Sequence, residues 1–203
     1  MSNIPSDFAS LREFYYGEYV PIYDFLNSRL VRLPSELHFE VSAAFDHLMR
    51  SSDMDEACIH NAVGHLKRAT FDGFKLLVKG PVHNLVNKLS HRKYNNVDNG
   101  KFQNEVNEIH YKIQDVVVKA RGLERKTSEE YSESWDEAFQ EWKKVIPLME
   151  RLEEMDRSDG ACRARSQYVR SAYINVFLYL FFAIIGYCLN RAFDFLWGIF
   201  FAL

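Results

Sequence analysis

Along the first 170 positions apolar residues recur at helical spacing, and no window keeps a strict apolar/polar alternation for long, so this part reads as all-α. A first helix is expected from Ser6 through Phe8, Leu11, Phe14 and Tyr15. It should kink at Pro21, where proline removes a ladder hydrogen bond, and end at Pro34. Ser35 then caps a helix to about Ser51 with Leu37, Val41, Ala44, Phe45 and Leu48 on one face. Asp53 followed by Glu56 resembles a capping box. The helix it starts should run to Lys79, where Gly80 and Pro81 stop it. The short connection at Ser51, Ser52 and Asp53 makes these two helices an antiparallel hairpin. Another helix follows from Pro81 to about His91, and the stretch KYNNVDNG, residues 93 to 100, reads as a solvated loop and the best internal boundary.

Beyond that boundary the period tightens to heptads. Phe102, Val106, Ile109, Ile113, Val116 and Ala120 repeat at alternating spacings of 4 and 3, as do Trp135, Ala138, Trp142, Val145, Met149 and Leu152. Joined across residues 122 to 128, the two helices form an antiparallel, coiled-coil-like hairpin over residues 101 to 157. Trp135 and Trp142 are its large knobs, and Pro147 should bend the second helix. Two or three heptads fit this hairpin, the reading taken here, and also a self-associating stalk.

A different pattern begins at Ala172. Residues 172 to 189 are 18 positions without a charge, close to the roughly 20 needed to cross a bilayer, and residues 172 to 203 hold only Arg191 and Asp194 as ionised groups. The expected organisation is a helical domain (1–92), a hairpin or stalk (101–157), a basic juxtamembrane segment (158–171) and a membrane anchor (172–203). Arg157, Arg163, Arg165 and Arg170 precede the span, which by the positive-inside bias puts the N-terminal part in the cytoplasm and the anchor in the inner, plasma membrane. Tyr173 and Tyr187 suit the two interfaces. An unbroken helix to the end of the chain would be about 48 Å long and would need a steep tilt. Three other arrangements stand for the tail: a turn at Asn190 and Arg191 with a short return pass, a helix lying in the far interface on Trp197, or a pore lining. Asn190, Arg191 and Asp194 decide between anchor and pore.

Composition narrows the chemistry. Net charge −3 and a pI near 6.2 argue against a nucleic-acid partner. Cys58, Cys162 and Cys188 lie too far apart for a disulfide framework or zinc set, which fits a reducing compartment. The N-terminus lacks the basic and apolar regions of a secretory signal. Neither G-x-x-x-x-G-K-[ST] nor G-x-G-x-x-G occurs, and His38, His60, His83, His91 and His110 form no H-E-x-x-H pattern. A helical ribonuclease motif, an Arg followed a few residues later by His, has one instance by spacing, Arg32 with His38, and is not the reading taken here. The expectation is a non-enzymatic protein with no catalytic residues, no metal and no cofactor.

The most specific internal feature is a repeat. Ala44 to Arg50 and Ala62 to Arg68 both read A-x-x-H-L-x-R, 18 residues apart. His47 with Arg50, and His65 with Arg68, share a helix face at i and i+3. They form either a binding site for a phosphate-bearing ligand or acidic partner, or hairpin-internal hydrogen bonds to carboxylates such as Asp46, Asp72 or Glu40. The second copy continues with Ala69, and over residues 36 to 80 the chain resembles a loose group of uncharacterised bacterial helical proteins with paired HLxRA-type motifs and a C-terminal membrane tail. Ser51 stands where the first copy would have alanine. The resemblance implies a shared helical module without an established activity, and several membrane-tailed bacterial proteins of similar plan are looked on as phage-defence effectors. Two functions are therefore expected: an effector that self-associates and disturbs the membrane on a signal from a cytoplasmic protein or small molecule, or a passive tether for a cytoplasmic partner. Membrane lipid is a partner in both.

Overall fold

The computed structural model describes residues 8–30, 35–50, 55–127 and 133–200, and among them it contains helices and turns but no strand. Ser6, Pro34 and Asp53 lie outside the described residues. Helix α1 (Phe8–Phe14) passes through a π turn (Tyr15–Tyr19) into α2 (Val20–Asn27), so the chain meets Pro21 with a widened turn just ahead of it. Helix α3 (Ser35–Arg50) follows, then α4 (Glu56–Leu77), which is capped by Asp55 rather than by Asp53. Asp55 is extended (φ −63°, ψ 162°) and its side chain accepts the Cys58 N–H at 2.7 Å.

Gly80 and Pro81 do not end this helix. A π turn (Val78–Val82) carries it into α5 (His83–Leu89). Proline has no N–H for the Leu77 carbonyl and its ring would crowd it; the wider turn removes the clash. Burial of Leu77, Pro81, Val82 and Val86 on the same rod outweighs the local stop signal.

The segment expected to be a solvated loop is a packed connector of two 3₁₀ turns (Arg92–Tyr94 and Val97–Gly100). Tyr94 is fully buried and stacks on Phe102 with ring centroids 5.5 Å apart. Asp98, Asn99 and Gly100 all take positive φ (49°, 54° and 85°), a conformation that Asp and Asn tolerate and glycine adopts freely.

Helix α6 (Lys101–Thr127) packs against α7 (Glu133–Lys143) and α8 (Val145–Arg157). The pairs Lys119 with Glu141 and Glu105 with Arg151 run in opposite chain directions, which sets α6 antiparallel to the other two. All twelve heptad positions are buried. The expected bend at Pro147 falls three residues earlier, at Lys144, because proline in the first turn of α8 leaves the Lys143 carbonyl without its donor.

The two tryptophans do not serve a hairpin standing apart. Trp135 lies against Phe14 and Phe71 (centroids 5.3 and 5.5 Å), and Trp142 stacks on Phe74 at 6.0 Å and 9°. One cluster of buried side chains therefore runs from Ile22 through Phe74, Trp142 and Leu152 to Ala164, so residues 1–92 and 101–157 do not hold separate cores. Ion pairs cross the same boundary: Arg29 with Glu153 at 2.7 Å, Lys143 with Glu18 at 2.7 Å and Lys88 with Asp156 at 2.7 Å. A smaller cluster (Leu11, Tyr19, Ala44, Ile59, Ala62, Val63, Leu66, Ala69) fills the far end of the α3–α4 hairpin. Phe45, expected on the core face, is 63% exposed: α4 covers a stripe narrower than the apolar pattern.

Helix α9 (Asp159–Phe200) is 42 residues long, about 63 Å, and passes Asn190 and Arg191 without a turn. No proline or glycine stands between Gly186 and Gly198, so nothing in that stretch breaks it.

The Trp142 indole N–H has no partner among the described residues, so its value to the fold is shape and stacking. Trp142→Ala should lower the unfolding free energy by about 3–5 kcal/mol through the cavity it leaves. Trp142→Phe, which keeps a ring on Phe74, should cost less than about 1.5 kcal/mol. Denaturant unfolding of the detergent-solubilised chain reads both; equal losses would contradict this account.

Candidate functional site

The A-x-x-H-L-x-R copies lie on facing helices, and the register between those helices determines what they can do. Glu40 meets His65 and Arg68, and Leu37 lies by Gly73, so α3 and α4 run antiparallel. This brings His47 onto His65, with rings stacked 5.1 Å apart. From that point the two arginines move in opposite directions: Arg50 three residues toward the hairpin turn, Arg68 three residues away. At about 1.5 Å per residue they are separated by roughly 9 Å along the axis.

Each arginine has a carboxylate of its own. Arg50 pairs with Asp46 at 2.8 Å on the exposed surface of α3. Arg68 Nε donates to Glu40 Oε2 at 3.2 Å, and His65 Nδ1 lies 2.8 Å from the same oxygen. Arg68 Nη2 is also 2.8 Å from His65 Nδ1. A single ring nitrogen serves one of these neighbours at a time, donating to Glu40 when it carries the proton and accepting from Arg68 when it does not. Asp72 pairs with Lys75 rather than with the motif.

The Glu40 side chain is only 18% exposed, and burial pushes its carboxyl up. Hydrogen bonds from His65 and Arg68 more than offset this and hold its pKa below the ordinary value of 4.5. These contacts occupy the motif's cations with the hairpin's own acids. The sequence had named Glu40 only as one of three possible partners; its position seven residues before His47, two helical turns on the same face, was the available signal.

No family model, curated protein or solved structure matches the chain. Among the described residues no three His, Cys, Asp or Glu side chains are grouped so as to hold a metal ion.

The other candidate is α9. The stretch Asp159–Arg191 is long and apolar enough to cross a membrane, with a mean hydropathy of 2.0 in its most apolar window and none of that window buried. Tyr173, Phe177, Tyr179, Leu180, Phe182 and Ile184 face outward all around the helix. So large a continuous apolar surface marks a membrane or protein contact. Asn190 and Arg191 are exposed on the same helix, whereas the Asp194 side chain lies outside the described residues.

The two motif copies should respond unequally to substitution. Arg50→Ala, which removes an exposed i,i+4 pair, should change stability by less than about 0.5 kcal/mol, and Arg68→Ala should cost about 1 kcal/mol or more. Because the Glu40 pKa is lowered on folding, its contribution is fully present above about pH 4.5 and is lost as pH falls through the lower folded value. The thermal midpoint of the wild type should therefore exceed that of Glu40→Gln at neutral pH, and the gap should close on acidification below pH 4.5. A gap that stays constant with pH would remove Glu40 from this role.

Proposed function

We propose that this chain is a membrane-anchored helical effector. Its bundle lies in the cytoplasm and receives a signal, and its C-terminal helix then self-associates and permeabilises or disturbs the bacterial inner membrane. The observation that carries this reading is the junction. Ala161 and Ala164, on the first turns of α9, belong to the buried core of the bundle, and the same helix continues without a break into the exposed apolar run.

A passive tether needs only a flexible linker, which decouples anchor from cargo. Here any rearrangement of the bundle must turn or shift the span, since a helix packed at one end transmits rigid-body motion to the other. Arg157, Arg163, Arg165 and Arg170 before the span support the cytoplasmic placement. Several membrane-tailed bacterial proteins of similar plan are looked on as phage-defence effectors, and this supports phage defence as the setting, with a cytoplasmic protein or small molecule as trigger. No bond-making step is assigned to the chain.

Induced expression should arrest growth and depolarise cells, as read by a membrane-potential dye, and truncation after Arg170 should abolish both effects. A truncated chain that remained toxic would sink the membrane mechanism; a full chain without any effect would make it a tether. Inserting a flexible Gly/Ser segment after Ser171 should keep the chain in the membrane fraction yet remove toxicity. Toxicity that survived the insertion would show that rigid coupling is unnecessary.

A further inference from the structure

Where α9 leaves the bundle, one side of it is covered by the 3₁₀ connector. Gly160 makes the close approach possible: a Cβ there would stand 2.9 Å from Val97 Cγ1, nearer than side chains approach. His91 meets Tyr168 edge to face with centroids 5.5 Å apart, and buried Tyr94 holds the connector from the other side.

An open groove of about 460 Å³ remains between connector and helix. Arg92 and Lys93 line it from the connector, and Arg163, Gln167, Tyr168 and Ser171 from α9. The α9 residues fall at i, i+4, i+5 and i+8, on one face. Asp98 is the single carboxylate in the lining, against three cations. Among the described residues neither Arg92 nor Arg163 has a carboxylate partner. Arg165, two residues on, is bound to Asp156 at 2.6 Å and takes no part in the groove.

The groove ends at Ser171, one residue before the apolar run begins. With Ala172 at the hydrocarbon edge, Gln167 and Tyr168 lie about 6–8 Å outside it and Arg163 about 13 Å. The headgroup layer is roughly 5–8 Å deep on each side, and an arginine side chain readily spans the remainder.

We propose that this groove holds the headgroup phosphate of an anionic phospholipid in the membrane that α9 crosses, an inference that rests on the membrane reading above. Guanidinium groups grip phosphate oxygens in bidentate fashion, Lys93 adds a point charge, and Gln167, Tyr168 and Ser171 supply neutral donors for phosphate and glycerol oxygens. A choline headgroup would bring its own cation among three others, so the groove selects against zwitterionic lipid. The selection is local, because the whole chain carries net charge −3 and has no general attraction to an anionic surface. A lipid seated there would fasten connector and helix together at the membrane surface, at the junction through which the bundle moves the span.

The test uses the full chain in detergent, titrated with phosphatidylglycerol or phosphatidylcholine and read by native mass spectrometry for retained lipid. The wild type should retain phosphatidylglycerol about tenfold better or more, and Arg92→Gln/Lys93→Gln/Arg163→Gln should retain the two lipids about equally. Arg121→Gln/Lys126→Gln, which removes two cations far from the span, should keep the preference. All three positions of the groove variant are surface cations, and circular dichroism should show unchanged helicity. Independently of any variant, raising salt from about 0.1 M to about 0.5 M should weaken the wild-type preference. Excess inorganic phosphate should not displace the lipid; displacement would assign the groove to a soluble phosphate and overturn the lipid site. No wild-type preference, or a preference unchanged in the triple variant, also overturns it. Alkaline carbonate extraction of cell membranes separates the two readings. A chain released by carbonate overturns the membrane reading and this site with it, whereas a chain that stays but shows no lipid preference overturns the site alone.

Discussion

The bundle depends on one aromatic seam. Trp135 is enclosed by Phe14, Phe71 and Phe139, the last with centroids 4.7 Å apart, and Phe74 meets both Phe139 and Trp142. Such pairs add about 0.5–1.5 kcal/mol each beyond the area they bury. The ion pairs Arg29 with Glu153 and Lys143 with Glu18 flank this seam without replacing it. Lys67 seals the exposed edge, its ammonium 4.4 Å above the Trp135 ring. Burial lowers the pKa of that lysine and Asp136 partly restores it, as expected for a cation held over a ring rather than in water.

Because the seam locks α7 to α4, α8 is fixed against α5 and α6, and the end of α8 fixes the start of α9. Ser158 makes that corner: it is extended (φ −61°, ψ 150°), its hydroxyl donates to the Met155 carbonyl at 2.7 Å and accepts the Ala161 N–H at 3.3 Å. Arg165 then reaches back to Asp156 at 2.6 Å. The direction in which α9 leaves the bundle is thus set by side chains within about two turns of the corner.

Burial was readable from sequence, because a helix that hides one stripe must repeat apolar residues near 3.5 positions; all twelve heptad positions of residues 102–152 are buried accordingly. The identity of the covering element was not readable. Periodicity says which face is hidden and is silent on what hides it, so Trp135 and Trp142 looked like knobs of a separate hairpin when they also serve α4. Pro81 misled for a related reason: a local stop signal of about 3 kcal/mol loses to buried residues on both sides of it. Tyr94 gave no signal, being one aromatic among polar neighbours. For the motif, residue types were legible and partners were not, since only the antiparallel register reveals that Arg50 and Arg68 diverge while Glu40 converges on His65 and Arg68.

On the membrane reading, the length of α9 imposes a further condition. Ala172 to Arg191 is 20 residues, about 30 Å of helix, which matches a hydrocarbon core. An upright helix therefore delivers Arg191 to the far headgroups and pushes residues 192–200 about 13 Å beyond them. Those residues are mostly apolar in sequence, and an unbroken helix cannot lay them back along the interface. Tilting the helix to submerge them draws Arg191 into hydrocarbon, which is costly for a charge without a partner. The self-association proposed above would ease the first difficulty, since neighbouring helices can cover apolar residues, and Asn190 next to Arg191 offers it a polar neighbour. On that reading, the length of an unbroken α9 counts against a lone upright anchor and in favour of the proposed self-association.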